Sequence, residues 1–421
     1  MLQIIRSDDE KALGRLLQAR QSSLTEADPV AERILAEVRR RGDQALIRYA
    51  RQFDQVDLRK AGFTVGRNEI RRAYDDVPRG FVPALRVAAR NIRKAARRQL
   101  PRPWQTETTA GVRVSQVVRA LDRVACYVPG GRFPLPSTVL MSVIPAQVAG
   151  VREVLITSPR PAPAVLVAAD LLGIERIYRL GGAQAIAAFA FGTESVPRVD
   201  KIVGPGNRYV TAAKKLVAGE CGIDFVAGPS ELVVVAARGE PEWIAADLVA
   251  QAEHDPDAVA LFITPSRRLA LQVHASASEI LARLCLPVAE KALASQGGII
   301  LTRDLAEAAA LVNRLAPEHL TLFEGATGLL DEIQSAGSIF LGSYSPVAAG
   351  DYASGANHIL PTGGAARLRG GLSAADFVKL ISVQRLSWQG LSRLRRPLVT
   401  LAHTEGLKAH AHSVEARFKK R

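Results

Sequence analysis

The chain has 421 residues, of which 48% are hydrophobic and 23% charged. Those proportions exclude a wholly disordered or fibrous chain, and the length leads us to expect about two or three domains with a large buried core. Lys and Arg number 55 against 41 Asp and Glu, a net charge of +14, but the basic residues are spread along the chain and aromatics make up only 5%. A nucleic-acid platform of interleaved basic and stacking residues is therefore not expected. A basic surface also suits anionic cofactors. The three cysteines, Cys126, Cys221 and Cys285, are odd in number and widely spaced, which indicates neither a disulfide framework nor a thiolate zinc site. No signal-like segment opens the chain, and no run of about 18 apolar residues occurs. The expectation is a cytoplasmic protein with no membrane partner.

Residues 1–100 read as successive amphipathic helices. Leu13, Leu16 and Leu17 recur at helical spacing, as do Ala31, Ile34, Leu35 and Val38. Asp28 and Pro29 form an N-cap and first-turn pair. A basic amphipathic helix over 81–100 ends at Pro101. Beyond it the texture changes. Strands are expected over 124–128, 154–157, 176–180, 201–203, 223–226 and 232–236, with apolar helices over 137–149, 163–172 and 184–191 between them. The alternation goes on with a helix over 241–253, a strand over 258–264, a helix over 266–283, a strand over 298–301, a helix over 304–315, and strands over 320–323 and 338–341. Strand, helix, strand with short connections predicts parallel sheets covered on both faces. The stretch 374–421 reads as helical again.

Three constellations could carry chemistry. Glycine-rich turns follow strands at Pro129 to Gly131, at Gly181 and Gly182, and at Gly204 to Asn207, where backbone amides can approach a phosphate. None matches the dinucleotide fingerprint, because Tyr209 stands where its third glycine belongs. On spacing alone each turn is equally a structural connection. Gln251 and His254 share one helix face, and Asp351, His358, His403, Glu405, His410 and His412 follow in later clusters. Imidazoles with a carboxylate suit zinc, but the spacing matches no metal motif and leaves capping or surface histidines open. Glu318 and His319, side by side at a strand mouth, could divide general acid and general base work, or be an ordinary surface turn.

Taken together these segments resemble histidinol dehydrogenases. The resemblance rests on 127–131 (YVPGG), 181–186 (GGAQAI), 201–207 (KIVGPGN), 227–231 (AGPSE), 251–255 (QAEHD), 316–320 (APEHL), 350–352 (GDY), 357–362 (NHILPT) and 405–410 (EGLKAH). It covers residue 120 to the end in the family's order, while the first hundred residues are less specific. It implies an α/β fold of two incomplete Rossmann-like parallel-sheet domains with helical N- and C-terminal segments. The expected division is 1–100, a helical segment packing on the second α/β domain; 101–231, the first domain, on the NAD side; 232–373, the second domain, with zinc and acid/base residues; and 374–421, a helical tail reaching the partner subunit.

The activity so implied is oxidation of L-histidinol to L-histidine through L-histidinaldehyde with two NAD, the last step of histidine biosynthesis. The resemblance puts one zinc per subunit on Gln251, His254, Asp351 and His410. It makes His319 the general base and Glu318 the activator of the water that attacks the aldehyde. Ser230, Gln251, His254, His319, Asp351, His358, Glu405 and His410 become substrate contacts, and Tyr127, Gln184 and Asn207 NAD contacts. The tail brings Glu405 and His410 to the neighbouring subunit's site, so a homodimer is implied. Cys126 and Cys221 are then buried structural thiols. One departure stands out: Leu380 occupies a position where many relatives carry Arg, which points to a different surface partner for the C-terminal helix. Two rival readings remain at this point: a same-fold NAD-dependent dehydrogenase of another amino alcohol or polyol, and a basic binding protein without catalytic activity.

Overall fold

A computed structural model describes residues 2–19, 26–130 and 133–419. The chain forms two compact units, one of Met1–Gln99 with Leu121–Phe377, the other of Leu100–Ala120 with Val378–Arg421. The first unit opens with β1 (Gln3–Arg6), α1 (Glu10–Ala19), α2 (Asp28–Arg41), α3 (Asp43–Tyr49), a π-helical turn at Ala50–Asp54, α4 (Leu58–Ala61), α5 (Arg67–Ala73) and α6 (Phe81–Gln99). The chain then contributes β2 (Trp104–Thr109) and β3 (Val112–Ala120) to the second unit.

The first unit resumes with β4 (Arg123–Tyr127), α7 (Pro136–Ala149), β5 (Glu153–Thr157), α8 (Pro163–Leu171), β6 (Ile177–Tyr178), α9 (Gly182–Phe191), β7 (Lys201–Val203), α10 (Arg208–Val217) and β8 (Gly222–Ile223). These strands make a parallel sheet in the order β6-β5-β4-β7-β8. Next come β9 (Glu231–Val235), α11 (Pro241–Ala252), β10 (Val259–Thr264), α12 (Arg267–Leu284), α13 (Pro287–Ser295), β11 (Gly297–Leu301), α14 (Leu305–Leu315), β12 (His319–Leu322), β13 (Ser338–Leu341) and α15 (Val347–Tyr352). With β1 at its edge, the second parallel sheet has the order β1-β11-β10-β9-β12-β13. Strands β9 and β10 are buried along their whole length, which is why they read as unbroken Val, Leu, Ile and Phe runs.

Helix packing corrects one expectation. Of the N-terminal segment, only β1 and α1 join the second sheet, through its pairing with β11 and through Leu13 in the core there. The face Ala31, Ile34, Leu35 and Val38 of α2 packs instead with α9 and α10 on one side of the first sheet. Residues Leu85, Ala88, Ala89 and Ile92 of α6 pack with α7 and α8 on its other side. The reason is small-residue complementarity. The facing helix α9 carries Ala183, Ala185, Ala187, Ala188 and Ala190, all buried, and so admits a close helix approach.

The second unit is built on an antiparallel sheet in the order β14-β3-β2, with β14 at Val378–Leu386, followed by α16 (Trp388–Thr404) and α17 (Lys408–Glu415). The helical reading of 374–421 is therefore wrong over β14, where Val378, Ile381 and Val383 favour a strand. Leu380 lies on that strand opposite Val118 and is exposed, not on a helix. The boundary at residue 101 is also displaced, since β2 and β3 pair with β14 and not with the first parallel sheet.

Candidate functional site

In both parallel sheets, β1 aside, the chain starts at a central strand, winds outward one way, returns and winds the other way. The reversal falls between β4 and β7 in the first sheet and between β9 and β12 in the second. Such a switch point leaves a crevice at the carboxyl ends of its strands. At that edge of the first sheet stand Tyr127, closing β4, and the turn Gly204 to Asn207 after β7. Gly204 has φ +116°, and a Cβ there would lie 2.2 Å from the Tyr127 carbonyl oxygen, so only glycine fits. Asp224 accepts the Gly204 N–H at 2.7 Å, and the Lys214 ammonium donates to the Gly204 carbonyl at 3.0 Å. Lys214 and Asp224 are themselves a buried ion pair. Asn207 caps α10, its side-chain oxygen accepting from Tyr209 and Val210 N–H at 3.1 Å each. The Tyr127 hydroxyl accepts the Gly182 N–H at 3.1 Å, and the buried Gln184 amide donates to Asp54 at 3.1 Å. Burial raises the Tyr127 phenol to about 12, so it stays neutral.

The second sheet presents its chemistry at the opposite edge, where β9 and β12 begin. Glu231 opens β9 and His319 opens β12, with His319 paired in register to Leu232. The helix that follows a parallel strand runs back along the sheet, so α11 ends at this edge with Gln251, and His254 lies just beyond it. Asp351 sits in the last turn of α15, which follows β13. The His319 imidazole is buried. Its Nδ1 lies 3.1 Å from the Glu231 carbonyl oxygen and 3.6 Å from Glu318 Oε2, while its Nε2 faces Asp351 Oδ1 at 3.5 Å with no hydrogen-bond partner. The Glu231 N–H donates to Glu318 Oε2 at 2.7 Å. One residue's main chain thus orients both members of the acid/base pair.

Electrostatics follow from this crowding. Burial raises the Glu318 carboxyl far above the usual carboxylate range. For His319 burial opposes charge, but Glu318 and Asp351 outweigh it and raise its proton affinity. Burial pushes Asp351 up, but the His319 contact, then the charges of His319, His358 and His254, bring it below the ordinary value. The charges of His254 and His358 thus act on the same carboxylate. The Gln251 Nε2 is buried and unpartnered. His358 lies with Nδ1 2.9 Å from the Asp351 carbonyl and Nε2 3.3 Å from the Thr138 hydroxyl of α7. Asn357 donates to the Met141 carbonyl at 2.7 Å. Through α7 the edge that carries His319 meets the glycine-lined edge of the first sheet.

Of the sequence-predicted residues, the first unit gathers Glu318, His319, Asp351, His254 and His358 at one edge, with Gln251 at the end of the neighbouring helix and Ser230 half-buried just before β9. Tyr127, Gln184 and Asn207 organise the loops of the other edge. Glu405 and His410 belong to the second unit and are exposed. Among the described residues, no group of three or more His, Cys, Asp or Glu side chains stands ready as a metal cluster. Cys126 and Cys221 are buried, and burial lifts both thiols to about 12, so neither is a thiolate nucleophile. Sequence reasoning missed Glu231, although it quoted the run 227–231, and it missed Asp224, Lys214, Thr138 and Asp54. Only Glu231 left a signal, as an acid directly before an apolar strand.

Two incomplete Rossmann-like parallel sheets, one with glycine turns at its carboxyl edge and the other with a buried carboxyl and imidazole at its amino edge, make an α/β fold of the kind that enzymes use. The histidinol dehydrogenase family model matches residues 17–418. A histidinol dehydrogenase of Methanothermobacter thermautotrophicus is 46% identical over the whole of both chains, and one of Natronomonas pharaonis is 47% identical over 95% of each. The crystal structure of histidinol dehydrogenase from Elizabethkingia anophelis superposes with a TM-score of 0.89 at 38% identity, covering 93% of this chain and 92% of that one. The chain belongs to the histidinol dehydrogenase family, oxidoreductases of histidine biosynthesis. No helix among the described residues is long and apolar enough to cross a membrane.

Proposed function

We propose that this chain oxidises L-histidinol to L-histidine through L-histidinaldehyde, with NAD as oxidant, zinc as metal and a homodimer as the working form in the cytoplasm. The observation that carries the reading is the His319 imidazole. With Nδ1 donating to the Glu231 carbonyl, Nε2 is the ring atom turned to Asp351 and the site, and the high proton affinity that Glu318 and Asp351 give the ring suits it to take up an alcohol proton. Glu318, fixed by the Glu231 N–H, in its ionised form deprotonates the water that adds to the aldehyde, and His319 takes a second proton in the second oxidation. NAD, when bound, accepts the hydride in each step. In this reading NAD lies at Tyr127, Gln184 and Asn207, where the switch point of the first sheet leaves a crevice beside the glycine turns.

The residues present also fit zinc. Gln251 offers the oxygen of a buried side-chain amide, and Asp351 and His254 supply a carboxylate and an imidazole whose charges interact. Zinc, when bound, supplies positioning of the substrate's imidazole and amine. His358 and Ser230 line the substrate side. The fourth ligand, His410, and the substrate contact Glu405 come in this reading from the partner subunit's tail. What supports it is the second unit's surface. Leu380, Ile381, Val383, Trp388, Leu398 and Leu401 are all exposed in the single chain, apolar side chains that a partner subunit would cover.

Metal content and turnover test this together. Purified protein should hold one zinc per subunit and reduce NAD with L-histidinol faster than with other amino alcohols or polyols. A preference for another alcohol would favour a same-fold dehydrogenase of different substrate. Mixing His319→Ala with His410→Ala subunits should restore part of the activity once subunits exchange. No recovery despite proven exchange argues against a shared site.

A further inference from the structure

Asp54 is a buried carboxylate that the chemistry above does not use. It ends the π-helical turn Ala50–Asp54, and the next residue, Gln55, takes the left-handed conformation with φ +57° although it is not glycine. Such turns and such backbone strain concentrate at functional places. The turn brings Asp54 from the N-terminal helices to the carboxyl edge of the first sheet. There its Oδ2 accepts Gln184 Nε2 at 3.1 Å, and a Cβ on Gly181 would lie 2.8 Å from its Oδ1. Gln184 is itself buried, and its Oε1 is packed so closely over Gly182 that a Cβ there would lie 2.5 Å away. Gly182 in turn donates to the Tyr127 hydroxyl.

A carboxylate can only accept. It therefore fixes which way round the Gln184 amide sits, with Nε2 toward Asp54 and Oε1 toward the glycine turn. A neutral amide in its place could both donate and accept, and Gln184 could flip. We propose that Asp54 is a positioning residue of the dinucleotide site: by fixing the Gln184 amide and the Gly181–Gly182 turn, it sets the affinity for NAD without touching the reacting atoms. This rests on the placement of NAD at Tyr127, Gln184 and Asn207 proposed above.

The titratable and charged groups that face Asp54 are Tyr127 from β4 and Arg160 beyond β5, while Arg51 and Asp57 on its own segment pair with each other. Burial raises the Asp54 carboxyl to about 6, against the lesser opposing pull of Gln184, Gly181 and Arg160. Protonation then does in the native protein what the amide substitution does permanently. Below pH 6 the acceptor-only constraint is lost.

The test is direct NAD binding by isothermal titration to the full-length, metal-loaded protein without substrate, joined to steady-state kinetics. Asp54→Asn should weaken NAD binding about tenfold, the effect of one charge-assisted hydrogen bond. KM for L-histidinol and kcat at saturating NAD should stay near the native values. In a Gln184→Ala background the same substitution should add almost nothing, because both act through one amide. Native NAD affinity should fall as pH drops through 6, and Asp54→Asn should flatten that profile. If Gln184→Ala weakens NAD binding and Asp54→Asn leaves it unchanged, the positioning role is overturned and the NAD placement stands. If neither substitution changes NAD binding, the placement fails and the inference with it. Should Asp54→Asn not fold, the native profile decides: NAD affinity that is flat between pH 5 and 7.5 overturns the role.

Discussion

The two parallel sheets share one winding order yet work at opposite edges. The first carries its glycine turns at the carboxyl ends of β4 and β7. The second uses the amino ends of β9 and β12, where Glu231, Glu318 and His319 converge. The carboxyl edge of the second sheet is filled. Phe323 is buried there, a Cβ on Gly239 would lie 2.7 Å from its ring, and one on Gly325 would lie 2.9 Å from the Ala237 methyl. A switch point is thus an opportunity for a ligand, and side-chain packing decides whether it is open. In the proposed function the first sheet binds and the second holds the groups that move protons.

The sharpest way to break that contrast is at His319. His319→Asn should lower kcat by roughly a thousandfold, within the range for loss of a general base, while NAD binding by titration stays near native. A comparable loss of NAD affinity would mean that the two edges are not functionally separate. A second substitution addresses the scaffold of the binding edge. Lys214→Met leaves Asp224 buried without its cation, and removing one partner of such a pair costs about 3–5 kcal/mol. Chemical denaturation should show that loss, and NAD binding should weaken through the released Gly204 turn. Unchanged stability would show that the pair does not hold the turn.

The smallest effect is in pH. A carboxyl raised in the folded state favours folding when protonated. The contribution of Asp54 is therefore full below its unfolded value near 4 and is lost as pH rises through about 6. Asp54→Asn removes this dependence. Relative to native protein, the variant should gain up to about 2 kcal/mol between pH 4 and pH 7.5. A difference between the two proteins that does not vary with pH would contradict the assigned burial.

Much of this was legible in the sequence. The unbroken apolar runs of β9 and β10 signalled strands buried on both faces, and glycine after a strand signalled the loops of the binding edge. Glu318 and His319 stood out because an acid and a base adjoin an apolar strand. What was not legible depended on long-range pairing. The strand β14 carries Lys379, Ser382 and Gln384 among its apolar residues and declares itself only through β3. The helices of the N-terminal segment show which face is apolar but not which sheet receives it, and the Ala-rich α9 decides that. Asp54 gave no signal, because its role depends on a π-helical turn that no local spacing announces. The part proposed for the second unit lies outside the reach of one chain's pattern, since Glu405 and His410 read as ordinary exposed polar residues.

The account's central claim is that one acid/base pair carries out two successive oxidations of the same molecule. The most direct test counts NADH formed per L-histidinol consumed, in the native protein and in Glu318→Gln. The account predicts two NADH per histidinol in the native protein, and in the variant a first NADH at near-native rate followed by a strongly slowed second. A native stoichiometry of one, or no turnover of L-histidinol at all, would contradict it.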